Sequence, residues 1–170
     1  MTIEELDAMD RETFVATLGC VFEHSPWVAE HVWPQRPFGT IEALHTAMTR
    51  VVRAATRAEQ LALIRAHPDL GAKARMSDAS SQEQSGAGLD RMSPDGFERL
   101  HKLNAAYRDK FGFPFIYAVK GSTTDGILRA LEARISADPE SERATALAHI
   151  RRIAQFRLED LFRVSVHERQ

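Results

Sequence analysis

The feature that most constrains the fold is a series of helix-start signals along almost the whole chain. Thr2 with Glu5 and Thr56 with Glu59 have the spacing of a capping box, in which each side chain binds a backbone N–H at the helix start. Other candidate N-caps are a Ser, Thr or Asp before a helical segment, three of them directly before a proline: Asp10, Ser25, Thr40, Ser93 and Asp138. The chain is therefore expected to be built from helices.

The spacing of apolar residues supports the same prediction. Ile41, Leu44, Met48 and Val51 recur at intervals of three and four, as one face of a helix requires. The strand-like run 113–119 has no second strand pattern to pair with, so we expect an extended segment or a short helical turn. We predict an all-α fold, one compact bundle of about eight or nine helices in a single domain spanning 1–170. The predicted helices are 3–9, 11–22, 26–33, 41–55, 57–66, 94–111, 124–136 and 139–162, with a shorter one within 81–89.

Composition removes several classes of function. The formal net charge is −2, so no strong field favours nucleic acid or an anionic membrane surface. Cys20 is the single cysteine, which excludes an internal disulfide framework and a cysteine-based zinc site. No apolar run approaches the roughly 18 residues that span a bilayer, and the first residues do not have the pattern of a signal peptide. We therefore expect a cytoplasmic protein with neither nucleic acid nor membrane as partner.

His67 is the first residue that could carry chemistry. It directly follows a predicted helix, and Pro68 restricts its backbone to extended geometry. An imidazole held at such a turn suits proton transfer near neutral pH. The alternative is a surface histidine that caps helix carbonyls, and spacing alone does not single out one of the 7 histidines.

The segment 80–89 is rich in small and hydroxylated residues around one acid. If Ser80 is an N-cap, Glu83 occupies the third helical position of a capping box, and Gly86 and Gly88 weaken the helix that follows. In the functional interpretation, N–H groups at this helix start face an anionic or carbonyl oxygen. Sequence leaves both interpretations open.

Arg157 is predicted to face inward on the last helix, because its spacing places it on the same face as Ile150, Ala154 and Leu161. A buried arginine needs a partner. One interpretation is a structural ion pair, for instance with Glu83 or Asp69, and the other is binding of a ligand carboxylate or carbonyl.

The sequence gives little support for other kinds of catalytic or metal site. His67, Asp69 and Glu83 could together hold a hard metal ion, but their spacing matches no strong metal motif, so no metal is expected. The chain has no glycine-rich phosphate loop, no nucleophile elbow and no evident Schiff-base lysine. The aromatic run 111–116 suits either the core or the wall of an apolar pocket.

Four motifs occur in an order that resembles a known family. They are HPDLG at 67–71, S-x-x-E-Q-x-x-A-G-L at 80–89, LNAAYRDKFGFPFI at 103–116, and I-x-x-I-A-x-x-R-L at 150–158. Each is weak alone, but the four together resemble the 2-oxo-4-hydroxy-4-carboxy-5-ureidoimidazoline (OHCU) decarboxylases from about Phe14 to Leu161.

The resemblance implies an all-α, cofactor-free enzyme, usually a homodimer, that converts this small ureidoimidazoline to (S)-allantoin as the third step from urate. It implies His67, Glu83 and Arg157 as catalytic residues. It also implies a substrate site lined by Pro68, Ser80, Ser81, Gln82, Glu83, Gln84, Phe115, Ile116, Tyr117, Ala118, Val119 and Arg157.

Residue chemistry suggests a role for each catalytic group. Arg157 would bind a ring carbonyl or carboxylate oxygen, while Glu83 would bind the substrate hydroxyl or ureido group and fix the protonation of His67. His67 would supply the proton that sets the stereocentre, and backbone N–H groups near Ile116 and at the 80–84 helix start would stabilise an oxyanion. Two competing hypotheses are a helical binding or dimerisation module without turnover, and a metal-assisted hydrolase of a ureide.

Overall fold

The computed structural model describes the backbone of residues 1–72 and 78–167 and the side chains of residues 1–72 and 80–163. Within these ranges the chain forms nine α-helices and two short 3-10 helices and contains no β-strand. The all-α prediction is therefore confirmed. The helices are α1 (Ile3–Asp7), α2 (Arg11–Leu18), α3 (Trp27–Val32), α4 (Ile41–Ala54), α5 (Arg57–Arg65), α6 (Asp78–Gly86), α7 (Pro94–Phe111), α8 (Thr124–Arg134) and α9 (Pro139–His167), with 3-10 helices at Trp33–Gln35 and Leu89–Arg91.

Most of the predicted helix starts are confirmed. Thr2 and Glu5 form the reciprocal capping box of α1, and the Thr56 hydroxyl accepts from the Glu59 N–H at 3.1 Å at the start of α5. The side chains of Asp10, Thr40, Ser93 and Asp138 accept a backbone N–H in the same way at the starts of α2, α4, α7 and α9. Local side-chain chemistry therefore sets most of the helix starts.

The prediction that Ser25 caps a helix is wrong. Helix α3 begins one residue later than predicted, at Trp27, and Pro26 occupies the N-cap position without a side-chain hydrogen bond. The Ser25 hydroxyl instead donates to the Glu23 carbonyl at 2.8 Å. The hydroxyl therefore binds a backbone carbonyl two residues upstream rather than a backbone N–H at the start of α3.

The prediction that Ser80 is an N-cap is also wrong. Helix α6 begins at Asp78, so Ser80 and Glu83 both lie inside it. Only the first four N–H groups of a helix lack an internal partner. The N–H groups of Gln82, Glu83 and Gln84 therefore belong to the helix interior and are not available as an oxyanion-binding helix start.

The run 113–119 forms no strand, as expected. Helix α7 ends at Phe111, and Gly112 takes a left-handed conformation with φ of 75° while its N–H binds the Arg108 carbonyl at 2.8 Å. Glycine adopts this conformation without the steric cost that a Cβ imposes. The turn sends the chain into an irregular segment up to the start of α8.

The chain divides into two compact units, residues 1–63 with 151–170, and residues 64–150. In the first unit Phe14 packs edge-on against Trp33, and the His45 imidazole Nε2 lies 2.9 Å from the Arg151 carbonyl. In the second unit Tyr107 packs against Phe111, Phe113 and Phe115. The aromatic run thus contributes to the core of this second unit. The prediction that residues 1–170 form one domain stays a prediction.

None of the helices that the structure describes is both long and apolar enough to cross a bilayer.

Candidate active site

His67 lies in a turn directly after helix α5. Its backbone N–H binds the Ile64 carbonyl at 3.2 Å, and the residue as a whole is only 6% exposed. His67 is therefore not a surface histidine. The neighbouring Pro68 is half-buried. Since proline fixes its own φ and restricts the residue before it, the imidazole is held on a stiff backbone.

Side chains from two other motifs hold the far end of this turn. The Gly71 N–H donates to Gln84 Oε1 at 2.8 Å, and Asn104 Nδ2 donates to the Leu70 carbonyl at 2.9 Å. Both side chains are buried, Gln84 at 7% exposed and Asn104 at 4%. Three of the four motifs therefore meet in space within the second unit. The role of Asn104 was not predicted, although a polar residue on the apolar face of a helix is a signal that could have indicated it.

The same turn requires glycine at its last position. Gly71 has φ of 73°, and a Cβ there would lie 2.9 Å from Leu100 Cδ2. Because both the conformation and the close approach disfavour a larger side chain, glycine is the residue that suits this end of the turn.

Helix α6 presents its predicted site residues in different environments. Ser80 and Gln84 are buried, Glu83 is half-buried, and Ser81 and Gln82 are exposed. One face of α6 therefore packs against the turn through Gln84. Glu83, one position earlier, stays partly accessible to solvent as a residue.

The irregular segment Phe115–Val119 is the other predicted wall of the site. All of its residues are buried except Tyr117, which is half-buried. Its backbone is bound by side chains from two helices: Arg134 Nη1 donates to the Ile116 carbonyl at 2.7 Å, and the Ala118 N–H donates to His149 Nδ1 at 3.0 Å. The Ala118 N–H therefore already has a partner within the protein, and sequence reasoning missed both Arg134 and His149.

A buried hydrogen-bonded chain fixes Arg134 in turn. Its Nε donates to Glu142 Oε1 at 2.6 Å, and the Tyr107 hydroxyl donates to the same oxygen at 2.5 Å. Glu142 and Tyr107 are 1% and 0% exposed. Burial, and then the hydrogen bond to Glu142, raise the pKa of Tyr107 well above its usual value, so the phenol stays a donor at any physiological pH.

Arg157 lies in the first unit and faces inward as predicted, with its side chain 6% exposed. Its Nη2 is 2.9 Å from Glu23 Oε2, and its Nη1 donates to the Cys20 carbonyl at 3.3 Å. Glu23 as a partner was not predicted. Asp69, one of the suggested partners, instead pairs with Arg108 at 3.0 Å. The ion pair orients the guanidinium, and it leaves a structural role and a ligand-binding role both open.

A cavity of about 390 Å³ lies beside α6 in the second unit. Gly71, Gln84, Leu89 and Phe97 are among the residues that line it. Among the lining residues that the structure describes, apolar side chains cover most of the wall and Asp90 is the one that carries a charge.

No cluster of three or more His, Cys, Asp or Glu side chains within the described part of the chain could hold a metal ion.

Comparison with known proteins places these features in one family. The model of the OHCU decarboxylase family matches residues 7–159. The 2-oxo-4-hydroxy-4-carboxy-5-ureidoimidazoline decarboxylase of Halalkalicoccus jeotgali is 47% identical over 161 residues, which cover 95% of this chain and 92% of the relative.

Two solved structures share the fold. A crystal structure of (S)-allantoin synthase superposes with a TM-score of 0.80 at 32% identity and covers 95% of this chain and 54% of that one. A crystal structure of OHCU decarboxylase in the presence of (S)-allantoin has a TM-score of 0.71 at 27% identity and covers 91% of this chain and 99% of that one. The chain belongs to the OHCU decarboxylase family.

Proposed function

We propose that this chain decarboxylates OHCU to (S)-allantoin and CO2, a step in the degradation of urate. The observation that carries the proposal is the buried His67 on a turn held by Gln84 and Asn104, in a chain that the family model matches over residues 7–159. A relative that is named OHCU decarboxylase matches 95% of this chain. A crystal structure of OHCU decarboxylase in the presence of (S)-allantoin shares the fold.

The reaction breaks one carbon–carbon bond and forms one carbon–hydrogen bond. The bond between ring carbon 4 and the carboxylate breaks, CO2 leaves, and the electron pair passes into the adjacent C=N group of the ring. A proton then adds to ring carbon 5, which becomes the stereocentre, and the 4-hydroxyl becomes a carbonyl. One proton is taken up overall, because the carboxylate leaves as neutral CO2.

This chemistry needs no resident electron sink, since the conjugated ring of the substrate stores the electron pair itself. The protein must supply a grip on the substrate, stabilisation of the charge that develops on the ring, and a proton delivered to one face. We therefore propose a cofactor-free and metal-free enzyme.

His67, Glu83 and Arg157 are the proposed catalytic residues. His67 delivers the proton to ring carbon 5, and its burial on a stiff turn suits delivery to one face only. Glu83 binds the hydroxyl or ureido group and sets the protonation of His67, and Arg157 binds a carbonyl or carboxylate oxygen through its planar guanidinium.

The proposed substrate-binding set is the one that the family resemblance implies. It comprises Pro68, the 80–84 stretch of α6 and the segment Phe115–Val119, together with Arg157. In this set Gln84 acts through the turn that it holds. With the N–H groups of Gln82 to Gln84 inside α6, the oxyanion-stabilising N–H groups are assigned to the 115–119 segment alone.

The first test is an assay of the purified protein on freshly prepared OHCU. We expect OHCU to disappear faster than it decays spontaneously and the circular dichroism signal of (S)-allantoin to accumulate, because spontaneous decay protonates either face. A parallel reaction in excess chelator is expected to run at the same rate. Binding of (S)-allantoin without turnover would instead favour a ligand-binding module, and loss of activity in chelator would favour a metal-assisted hydrolase.

We also propose that the protein is a homodimer in the cytoplasm, both as implied by the family resemblance. Sedimentation equilibrium of the purified chain is expected to give twice the 19.1 kDa of one chain. A monomeric mass at all concentrations used in the assay would contradict the dimer. Fractionation of the native cells tests the location.

A further inference from the structure

The two peptide groups on either side of Tyr117 are each fixed by a side chain. Arg134 Nη1 binds the carbonyl of the peptide between Ile116 and Tyr117 at 2.7 Å. His149 Nδ1 accepts the N–H of the peptide between Tyr117 and Ala118 at 3.0 Å. The segment itself has no helix or strand to fix these peptide planes, so the two side chains take that role.

The geometry of a trans peptide then determines where the backbone of Tyr117 points. In a planar trans peptide the C=O and N–H point in opposite directions. The Tyr117 N–H therefore points away from Arg134, and the Tyr117 carbonyl points away from His149. Neither group makes a hydrogen bond to another residue that the structure describes.

The His149 ring also supports this segment from the side. It stacks on the Tyr117 ring with centroids 4.9 Å apart at an interplanar angle of 28°. A nitrogen that accepts a hydrogen bond carries no proton, so neutral His149 holds its proton on Nε2. The ring thus contributes both a stacking surface and an acceptor that has to remain unprotonated.

We propose that His149 is a positioning residue for substrate binding. Together with Arg134 it fixes the two peptides that flank Tyr117, and so presents the Tyr117 N–H and C=O as a donor–acceptor pair to an amide-type group of the ligand, such as a ureido group. The inference rests on the proposed function, because that function supplies the ligand with a complementary N–H and C=O.

Two substitutions distinguish the role of His149 as a hydrogen-bond acceptor from the role of its ring in stacking. His149→Phe keeps an aromatic ring against Tyr117 and removes the acceptor, whereas His149→Asn removes the ring and keeps an acceptor oxygen close to the position of Nδ1. We expect His149→Phe to lower kcat/KM for OHCU by about 10–100-fold, mainly through KM, because the peptides lose their orientation. His149→Asn is expected to recover most of that loss.

A matched control is His101→Phe, the same substitution at an exposed histidine on α7, which should leave both constants unchanged. A purely structural defect would lower the fraction of active protein, and therefore the apparent kcat, without raising KM. Wild-type KM in folded His149→Phe would overturn the inference, as would failure of His149→Asn to restore KM.

A second measurement uses no substrate and so does not depend on the enzymatic activity. Long-range nitrogen–proton NMR spectra of the free protein are expected to show His149 protonated on Nε2, and the Ala118 amide resonance should shift in His149→Phe more than in His149→Asn. A proton on Nδ1 would overturn the inference even if His149→Phe fails to fold. If the wild-type protein does not turn over OHCU, the proposed function fails. If it does and His149→Phe equals it, only this inference fails.

Discussion

Replacing His67 by asparagine is expected to lower kcat for OHCU by about 10²–10⁴-fold, the usual contribution of a positioned general acid or base. Asparagine is polar and smaller than histidine, so it can occupy the buried site without adding a charge. It has no titratable group near neutral pH and cannot deliver the proton to ring carbon 5. Circular dichroism during the reaction measures both the rate and the handedness of the allantoin that forms.

The stereochemical outcome makes this prediction specific. If His67 delivers the proton, the allantoin formed by His67→Asn should be largely racemic, because solvent can protonate either face of the intermediate. His101→Asn is the matched control at an exposed position on α7 and should retain wild-type rate and handedness. Formation of (S)-allantoin at the wild-type rate in His67→Asn would show that another group transfers the proton.

The sequence predicts most helix starts because the interactions that set them are local. The Thr2 and Thr56 capping boxes and the Ser93 cap each involve residues within three positions of one another, so their spacing in the sequence is enough to identify them. The two errors differ in their cause. The Ser25 hydroxyl binds the Glu23 carbonyl instead of capping α3, and spacing alone does not show which backbone group a serine binds. For Ser80 the helix itself begins upstream, at Asp78.

The sequence identifies a site residue only where the residue type is unusual for its position. Arg157 on an apolar helix face and His67 before Pro68 are of this kind, and both prove to be buried. The residues that contact the site could not be identified from the sequence in the same way. Glu23 lies 134 positions before Arg157, and His149 lies 31 positions from Ala118, so these contacts depend on packing between distant elements rather than on spacing.

The same limit applies to the turn that carries His67. Its sequence indicates a stiff bend, but not that Gln84 and Asn104 anchor it from α6 and α7. The family motifs by themselves suggest separate groups of substrate-facing residues. In the structure Gln84 of the second motif and Asn104 of the third instead hold the first motif in place, as a preorganised site requires.

The ion pair between Arg157 and Glu23 leads to the second prediction of large effect. The two side chains are 6% and 0% exposed and lie 2.9 Å apart. Glu23→Ala would leave the buried guanidinium without this carboxylate, and removal of one partner from a buried pair typically costs about 3–5 kcal/mol. We therefore expect the free energy of unfolding in urea to fall by about that amount.

Arg157→Lys separates the structural role from the proposed binding role. Lysine keeps the positive charge beside Glu23 but lacks the planar fork that binds a carboxylate or carbonyl through two N–H groups. We therefore expect a folded protein with a raised KM for OHCU and a much smaller loss of stability than in Glu23→Ala. Arg152→Lys, at an exposed position on the same helix, is the control and should change neither quantity. A folded Arg157→Lys protein with wild-type KM would assign Arg157 to the ion pair alone, because the fork would then have no measurable part in binding the substrate. An unfolded Arg157→Lys protein would favour the structural role.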